Sequence, residues 1–265
     1  MIETIGILGY GNMGEAVARG LRARHPRLKL AVLEKREEQL AAAGDLGAEL
    51  FTPAQLEIFL RTSTTVVLSV KPQDLATLSA AEPKAFSNHF VISVLAGTTL
   101  NTLQEQLGTS AAARLMPSLA ARIGRAVVGV ALPERLTGEQ RETALEVARA
   151  MGTPFEVPES LMSAVTGLSG SGLAYVFAFI HALALGGVRC GLPYQQAVEM
   201  ARDVTSGAAE LLADQTEHPI SMLSRVISPA GTTIEGVSAL EQHAFSAAVM
   251  EAVVAAADRA RELEQ

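Results

Sequence analysis

The chain has 265 residues, 49% of them apolar, with no tryptophan and a single cysteine. That length holds one large or two ordinary domains, each able to bury a sizeable core. A net charge of −7 argues against nucleic acid or an anionic membrane surface as a main partner. Cys190 has no second cysteine to pair with, which suits a reducing cytoplasm, and its apolar helical surroundings predict a packed thiol.

Ile5 to Leu8 reads as a short buried strand, entered so early that no secretory leader is expected. Gly9, Gly11 and Gly14 follow as G-x-G-x-x-G, and Glu15 to Arg24 continues as a helix with Ala16, Val17 and Leu21 on one side. Strand, glycine turn and helix in that order form the dinucleotide fingerprint. Gly9 makes the turn, Gly11 lets a pyrophosphate approach the backbone, and Gly14 lets helix and strand pack closely. Free N–H groups at the helix start then face the phosphates.

Leu28 to Leu33 is the expected second strand, with Glu34 at its end. A carboxylate there accepts hydrogen bonds from the adenosine ribose and repels a 2′-phosphate, which favours NADH. Lys35 and Arg36 follow at once and are able to hold that phosphate, which favours NADPH; a solvated helix start remains the plainer alternative for this charge run.

Ala48 to Phe51 is a candidate third strand and Pro53 to Leu60 a helix. Thr64 to Val70 is a β-branched strand running into Ser69-Val70-Lys71-Pro72, which places Lys71 at the carboxyl end of a parallel strand, the ligand side of an open α/β sheet. Phe90 to Leu95, Ala111 to Met116, Val127 to Leu132 and Phe155 to Val157 complete the strands, with helices starting at Thr98 or Thr99 and near Thr137. Strands alternating with helices predict an α/β fold, a mainly parallel, doubly wound Rossmann-type sheet over residues 1–158.

The texture changes at Pro158. Residues 159–265 show only helical patterns: Leu161–Val165, Leu173–Val188, Pro193–Leu212, Ile220–Val226 and Thr232–Glu264. The apolar run Leu173 to Leu185 is shorter than the roughly 18 residues of a membrane span, so burial within protein is expected and no membrane partner. Val249 to Ala257 is nearly all Ala and Val, as in a helix buried between subunits, and an obligate homodimer follows.

Two hydroxyl-rich segments interrupt these helices: Thr166 to Gly172, and Ser228-Pro229-Ala230-Gly231-Thr232-Thr233. Each is expected to open a helix and present N–H groups to an anion such as a substrate carboxylate. The alternative is that the hydroxyls are caps and the glycines permit close helix crossing. The five histidines and Cys190 show no metal-ligand spacing, and no lysine occurs from Glu159 onward. Hydroxyacid dehydrogenases of this build use a lysine there, so reduction of a protonated C=N bond, which needs little acid–base help, is the chemistry preferred.

These motifs resemble the pyrroline-5-carboxylate reductase family. The matching stretches are Gly9 to Gly14, Ser69-Val70-Lys71-Pro72-Gln73, Ala164 to Gly172, Ala174-Tyr175 and Ser228 to Thr233. The resemblance implies a Rossmann domain, an all-α C-terminal dimerisation domain and often a ring of dimers. It implies reduction of a small cyclic imino acid, 1-pyrroline-5-carboxylate, to L-proline by NADPH or NADH. By position, Leu8, Gly9, Tyr10, Gly11, Asn12, Met13, Gly14, Ser69, Val70, Lys71, Pro72, Val94, Leu95 and Ala96 would meet the cofactor. Ser228 and the N–H groups of Gly231, Thr232 and Thr233 would hold the substrate carboxylate, the Thr233 hydroxyl would bond the ring nitrogen, and Glu159 would stand near the substrate.

The chain departs from the family pattern at Leu173 (usually proline), at Ser118 in Met116 to Ala120, at Ala230 (usually glycine) and at His181 (usually acidic). Ala230 is expected to be strained if its position needs a positive φ. A reductase of a related cyclic imine, or a nucleotide-binding regulator without chemistry, are the other readings these departures allow.

Overall fold

The computed structural model describes residues 4–71, 73–75, 77, 84–214 and 217–264. Two compact units emerge: Met1–Ser171 with Val254–Gln265, and Gly172–Val253. The change of texture at Pro158 and this division do not coincide. Residues 159–171 stay with the sheet, where Val165 and Met162 lie against Gly129.

The first unit is built on one sheet of eight strands: β1 (Thr4–Leu8), β2 (Lys29–Leu33), β3 (Glu49–Phe51), β4 (Thr65–Leu68), β5 (Phe90–Ser93), β6 (Ala112–Met116), β7 (Ala126–Ala131) and β8 (Gly152–Glu156). Their order is β3-β2-β1-β4-β5-β6-β7-β8, parallel throughout except between β6 and β7. Helices α1 (Asn12–Arg24), α2 (Glu37–Gly44), α3 (Leu56–Thr62), α4 (Leu100–Leu107) and α5 (Gly138–Met151) alternate with the strands. Ile5, Ile7, Val66, Val67 and Leu68 are wholly buried, as expected of central strands covered on both faces. One face packs Val17 and Leu21 of α1 with Val147 of α5; the other packs Phe59 of α3 with Leu103 of α4. Thr99 caps α4 by accepting the Thr102 N–H, and Thr137 with Gln140 forms a capping box on α5.

The strand ends differ modestly from expectation: Ser69 and Val70 lie beyond β4, and β8 begins at Gly152. Pro72 falls outside the described residues.

The glycine string is the larger difference. After α6 (Met162–Val165), residues Thr166–Gly170 form a π-helical turn that runs into α7 (Gly172–Arg189), closed by the Ser171 N–H to Thr166 carbonyl bond at 2.8 Å. Glu159–Arg189 is therefore one helical stretch of 31 residues, long and apolar enough by length and composition to cross a membrane. The apolar run Leu173–Leu185 is thus part of a longer helix than its own length suggested.

The second unit contains α7, α8 (Tyr194–Asp214), α9 (Pro219–Val226), α10 (Thr232–Gln242) and the start of α11 (Phe245–Glu262). The single helix expected over Thr232–Glu264 is broken at Ala244, which takes a φ of +54°. The buried apolar cluster here is small: Ala184, Ala197 and Ala201, flanked by Ile180 and Val198. Phe177, Val204, Ile220, Val226, Met250 and Val254 remain more than half exposed in the single chain. An apolar surface of that extent marks an interaction face. Cys190, just past α7, is exposed rather than packed, because the helix ends there in a turn.

Candidate functional site

The nucleotide seat begins where β1 ends. Leu8 and Tyr10 are buried, and between them Gly9 takes a φ of +92°, a conformation closed to most L side chains. The Gly9 N–H donates to the Leu33 carbonyl at 2.8 Å, and the Ser69 hydroxyl donates to the Gly9 carbonyl at 2.5 Å. The turn is thus fastened to β2 on one side and to the end of β4 on the other. A Cβ on Gly14 would stand 2.1 Å from the Gly9 carbonyl oxygen, so only glycine lets α1 start this close to the turn.

Gly11 is the N-cap of α1, in extended backbone and with no side-chain cap. The first N–H groups of α1 therefore await an outside acceptor at the positive end of the helix. A Cβ built on Gly11 would meet nothing closer than Arg36 Nη2, at 3.8 Å, leaving room for a ligand against the backbone. Asn12 is exposed and Met13 half-buried at this mouth. These features fit a pyrophosphate.

Glu34 is 5% exposed and its carboxylate is saturated. It accepts from the Tyr10 N–H at 2.8 Å, the Lys35 N–H at 2.9 Å, and the Arg36 N–H, Nε and Nη2 at 3.1 Å each. Burial raises its pKa, but the Arg36 guanidinium and the Tyr10 and Arg36 N–H groups outweigh burial and hold it below the ordinary carboxylate value. Glu34 and Arg36, which the sequence sets against each other as rival determinants, are one ion pair. Lys35 leans away to Asp74, at 3.7 Å. Tyr10 offers the site only main chain, since its ring lies in the core, and burial pushes the pKa of its phenol up.

The neighbouring loops complete this edge of the sheet. Val70 packs on the core and Lys71 is exposed. Val94 donates its N–H to the Leu68 carbonyl at 3.0 Å, Leu95 donates to Ser93 Oγ at 3.2 Å, and Ala96 is exposed. All follow the carboxyl ends of parallel strands, where open α/β sheets hold their ligands.

In the second unit, Gly231 is the N-cap of α10, again extended and without a side-chain cap. Its own N–H is taken by the Ser228 carbonyl at 3.0 Å, so the carboxylate donors expected of Gly231 to Thr233 narrow to the helix N–H groups from Thr232 onward. Thr232 is exposed and Thr233 half-buried. Ala230 adopts the positive φ anticipated for it, +54°, at a cost of about 1–2 kcal/mol relative to glycine.

The companion segment is built differently from the helix start expected of it. Residues 166–172 open no helix, and the hydroxyls of Thr166 and Ser169 bond back to the carbonyls of Met162 and Val165 at 2.9 Å. Glu159 is engaged elsewhere. Its carboxylate accepts the Leu100 N–H at 2.7 Å, at the start of α4, and lies 3.6 Å from Arg114 Nη1. His181 stands beside Tyr194, its Nδ1 3.4 Å from the phenol oxygen. Sequence reasoning missed Arg114; the signal was a lone charge inside the apolar strand Ala112–Met116. Among the described residues no cluster of three or more His, Cys, Asp or Glu is arranged to hold a metal ion.

A fastened glycine turn, an uncapped helix on a parallel sheet and a helical part with unburied apolar faces define a Rossmann-type, dinucleotide-dependent oxidoreductase. Residues 4–97 match the family model described as NADP oxidoreductase coenzyme F420-dependent, and residues 159–263 match pyrroline-5-carboxylate reductase dimerisation. The chain belongs to the pyrroline-5-carboxylate reductase family. It is 37% identical over 273 residues to the pyrroline-5-carboxylate reductase of Methanosarcina acetivorans, covering 98% of each chain. The structure of a pyrroline-5-carboxylate reductase from Coxiella burnetii is similar at a TM-score of 0.89 and 26% identity, over 100% of both chains. That of the Plasmodium falciparum pyrroline carboxylate reductase, with NADP bound, is similar at 0.86 and 23%, over 99% of this chain and 98% of that one. The dimerisation match makes the protein a homodimer, and it spans the helices α7 to α11 that carry the exposed apolar side chains.

Proposed function

We propose that this protein reduces 1-pyrroline-5-carboxylate to L-proline with NAD(P)H, the last step of proline biosynthesis. The observation that carries the reading is the uncapped, glycine-started α10 with Thr232 and Thr233 in its first turn, in a chain whose full-length relatives bear this enzyme's name. When bound, NAD(P)H supplies a hydride; the imine carbon takes it, and the protonated ring nitrogen becomes the secondary amine of proline. The chain's part is placement. The α10 N–H groups hold the substrate carboxylate, the Thr233 hydroxyl bonds the ring nitrogen, and Ser228 shapes the turn. Gly9 to Gly14 take the pyrophosphate, while Ser69 to Lys71 and Val94 to Ala96 flank the rest of the cofactor. Glu159 caps α4 through the Leu100 N–H, and its place near the substrate, through the partner's site, is part of the same proposal.

The Glu34–Arg36 pair accepts both cofactors: Glu34 suits a 2′-hydroxyl, and Arg36, released from it, suits a 2′-phosphate. Arg36→Ala should shift the ratio of kcat/KM toward NADH, and Glu34→Gln toward NADPH. Shifts in the same direction would refute a shared seat. Assembly of the dimers into a ring, and residence in the cytoplasm, belong to the same proposal.

The test is product analysis. Purified protein with NADPH or NADH should convert 1-pyrroline-5-carboxylate to L-proline faster than it reduces a six-membered or 2-carboxylate imine. Preference for one of those would move the substrate assignment to the departures at Leu173, Ser118, Ala230 and His181.

A further inference from the structure

Arg114 lies in the middle of β6, between Ser93 of β5 and Ala131 of β7, and is 1% exposed. A guanidinium does not shed its charge when buried, so it must be met by anions. The Nη2 group donates to Glu264 Oε1 at 2.5 Å, and the other Glu264 oxygen accepts from Ser163 Oγ at 3.2 Å. Among the described residues Arg114 Nε and Nη1 find no hydrogen-bond partner, and Glu159 stands 3.6 Å from Nη1. Glu264 therefore makes the hydrogen bond on which the buried charge depends.

The same cluster touches both sides of one turn. Glu159 holds the Leu100 N–H, at the start of α4. Three residues earlier Gly97 takes a φ of +69° with the main chain of Leu263 pressed against it: a Cβ there would lie 3.0 Å from the Leu263 carbonyl oxygen. Residues 263 and 264 thus lie across the loop that follows β5. That loop carries Val94, Leu95 and Ala96, on the opposite side of β1 from Glu34. In a sheet of this order the adenosine half lies by β2 and the other half by β4 and β5.

We propose that Glu264, acting through Arg114 and Leu263, is a positioning residue that sets the Val94–Gly97 turn against the nicotinamide half of the cofactor. The inference rests on the reading above that this loop meets the cofactor.

The test separates the two halves of the dinucleotide by binding alone, with no imine present, so that its outcome is independent of whether the reductase reading holds. Titrations compare NADPH with 2′-phospho-ADP-ribose, which lacks the nicotinamide. Glu264→Gln should weaken NADPH roughly tenfold and leave the fragment unchanged. The double variant Arg114→Met/Glu264→Gln leaves no charge buried without a partner. It should regain the melting temperature lost in the single variant and still bind NADPH weakly, and it keeps the test available should Glu264→Gln fail to fold. Equal weakening of NADPH and the fragment, no weakening of either, or NADPH binding restored together with stability in the double variant would overturn the proposal.

Discussion

The helices at Asn12 and Thr232 both start from a glycine in extended backbone, with φ of −81° and −83°, and neither has a side-chain cap. What holds them differs. The turn before α1 is fixed by partners distant in sequence: Leu33 and Ser69 both bond Gly9, and Gly14 lies against the Gly9 carbonyl. The turn before α10 is fixed from within, by the Ser228 carbonyl and a left-handed Ala230. The same glycine-started, uncapped helix end is thus built once into the sheet and once into a local turn. The first tolerates little change, whereas the second accepts substitution, as the alanine itself demonstrates.

Breaking the first site should have the largest effect. Gly14→Val drives a side chain into the Gly9 carbonyl, so nucleotide affinity should fall by about 100-fold or more and stability by about 1–3 kcal/mol. Nucleotide titration and thermal melting report both, and normal binding would refute the tight coupling of turn and helix. Breaking the second site should cost less. Thr233→Ala should lower kcat/KM for the imine about 10–100-fold while nucleotide affinity holds; unchanged turnover would remove Thr233 from the chemistry. Ala230→Gly sharpens the contrast in the other direction. Relief of the left-handed backbone should add about 1 kcal/mol and raise the melting temperature by a few degrees without raising KM.

The smallest effect lies in acid. The Glu34 pKa is lower in the folded chain than its ordinary value of 4.5. Its contribution to stability is therefore complete above that value and lost as pH falls through the lower, folded one. Melting curves from about pH 6 to about pH 3 should show the advantage of the wild type over Glu34→Gln shrinking toward acid. An advantage independent of pH would mean that the carboxylate is not held ionised by its partners.

Local signals were the legible ones. The glycines of the turn at Gly9, the threonines that start helices at Thr99 and Thr137 and the positive φ at Ala230 were each announced by the residues at those positions, and each stands where the sequence put it, although the Gly9 turn is held by distant partners. The string from Thr166 to Gly172 was not legible, because the same glycines and hydroxyls suit a loop or a π-turn. The packing of Val165 on Gly129 and of Gly170 by Met116 accompanies the second. Nor was the Arg114 cluster, whose anions lie 45 and 150 residues further along the chain. Glu34 and Arg36 were seen as competitors; only their geometry makes them partners. The break at Ala244 carries neither glycine nor proline to announce it.

The most direct measurement follows nucleotide absorbance as purified homodimer meets 1-pyrroline-5-carboxylate in the presence of NADPH or NADH. Two cooperating sites predict oxidation that depends on the imine and saturates with it. Tight nucleotide binding with no oxidation by this imine would contradict that pairing, leaving the first site intact and the second without its assigned substrate.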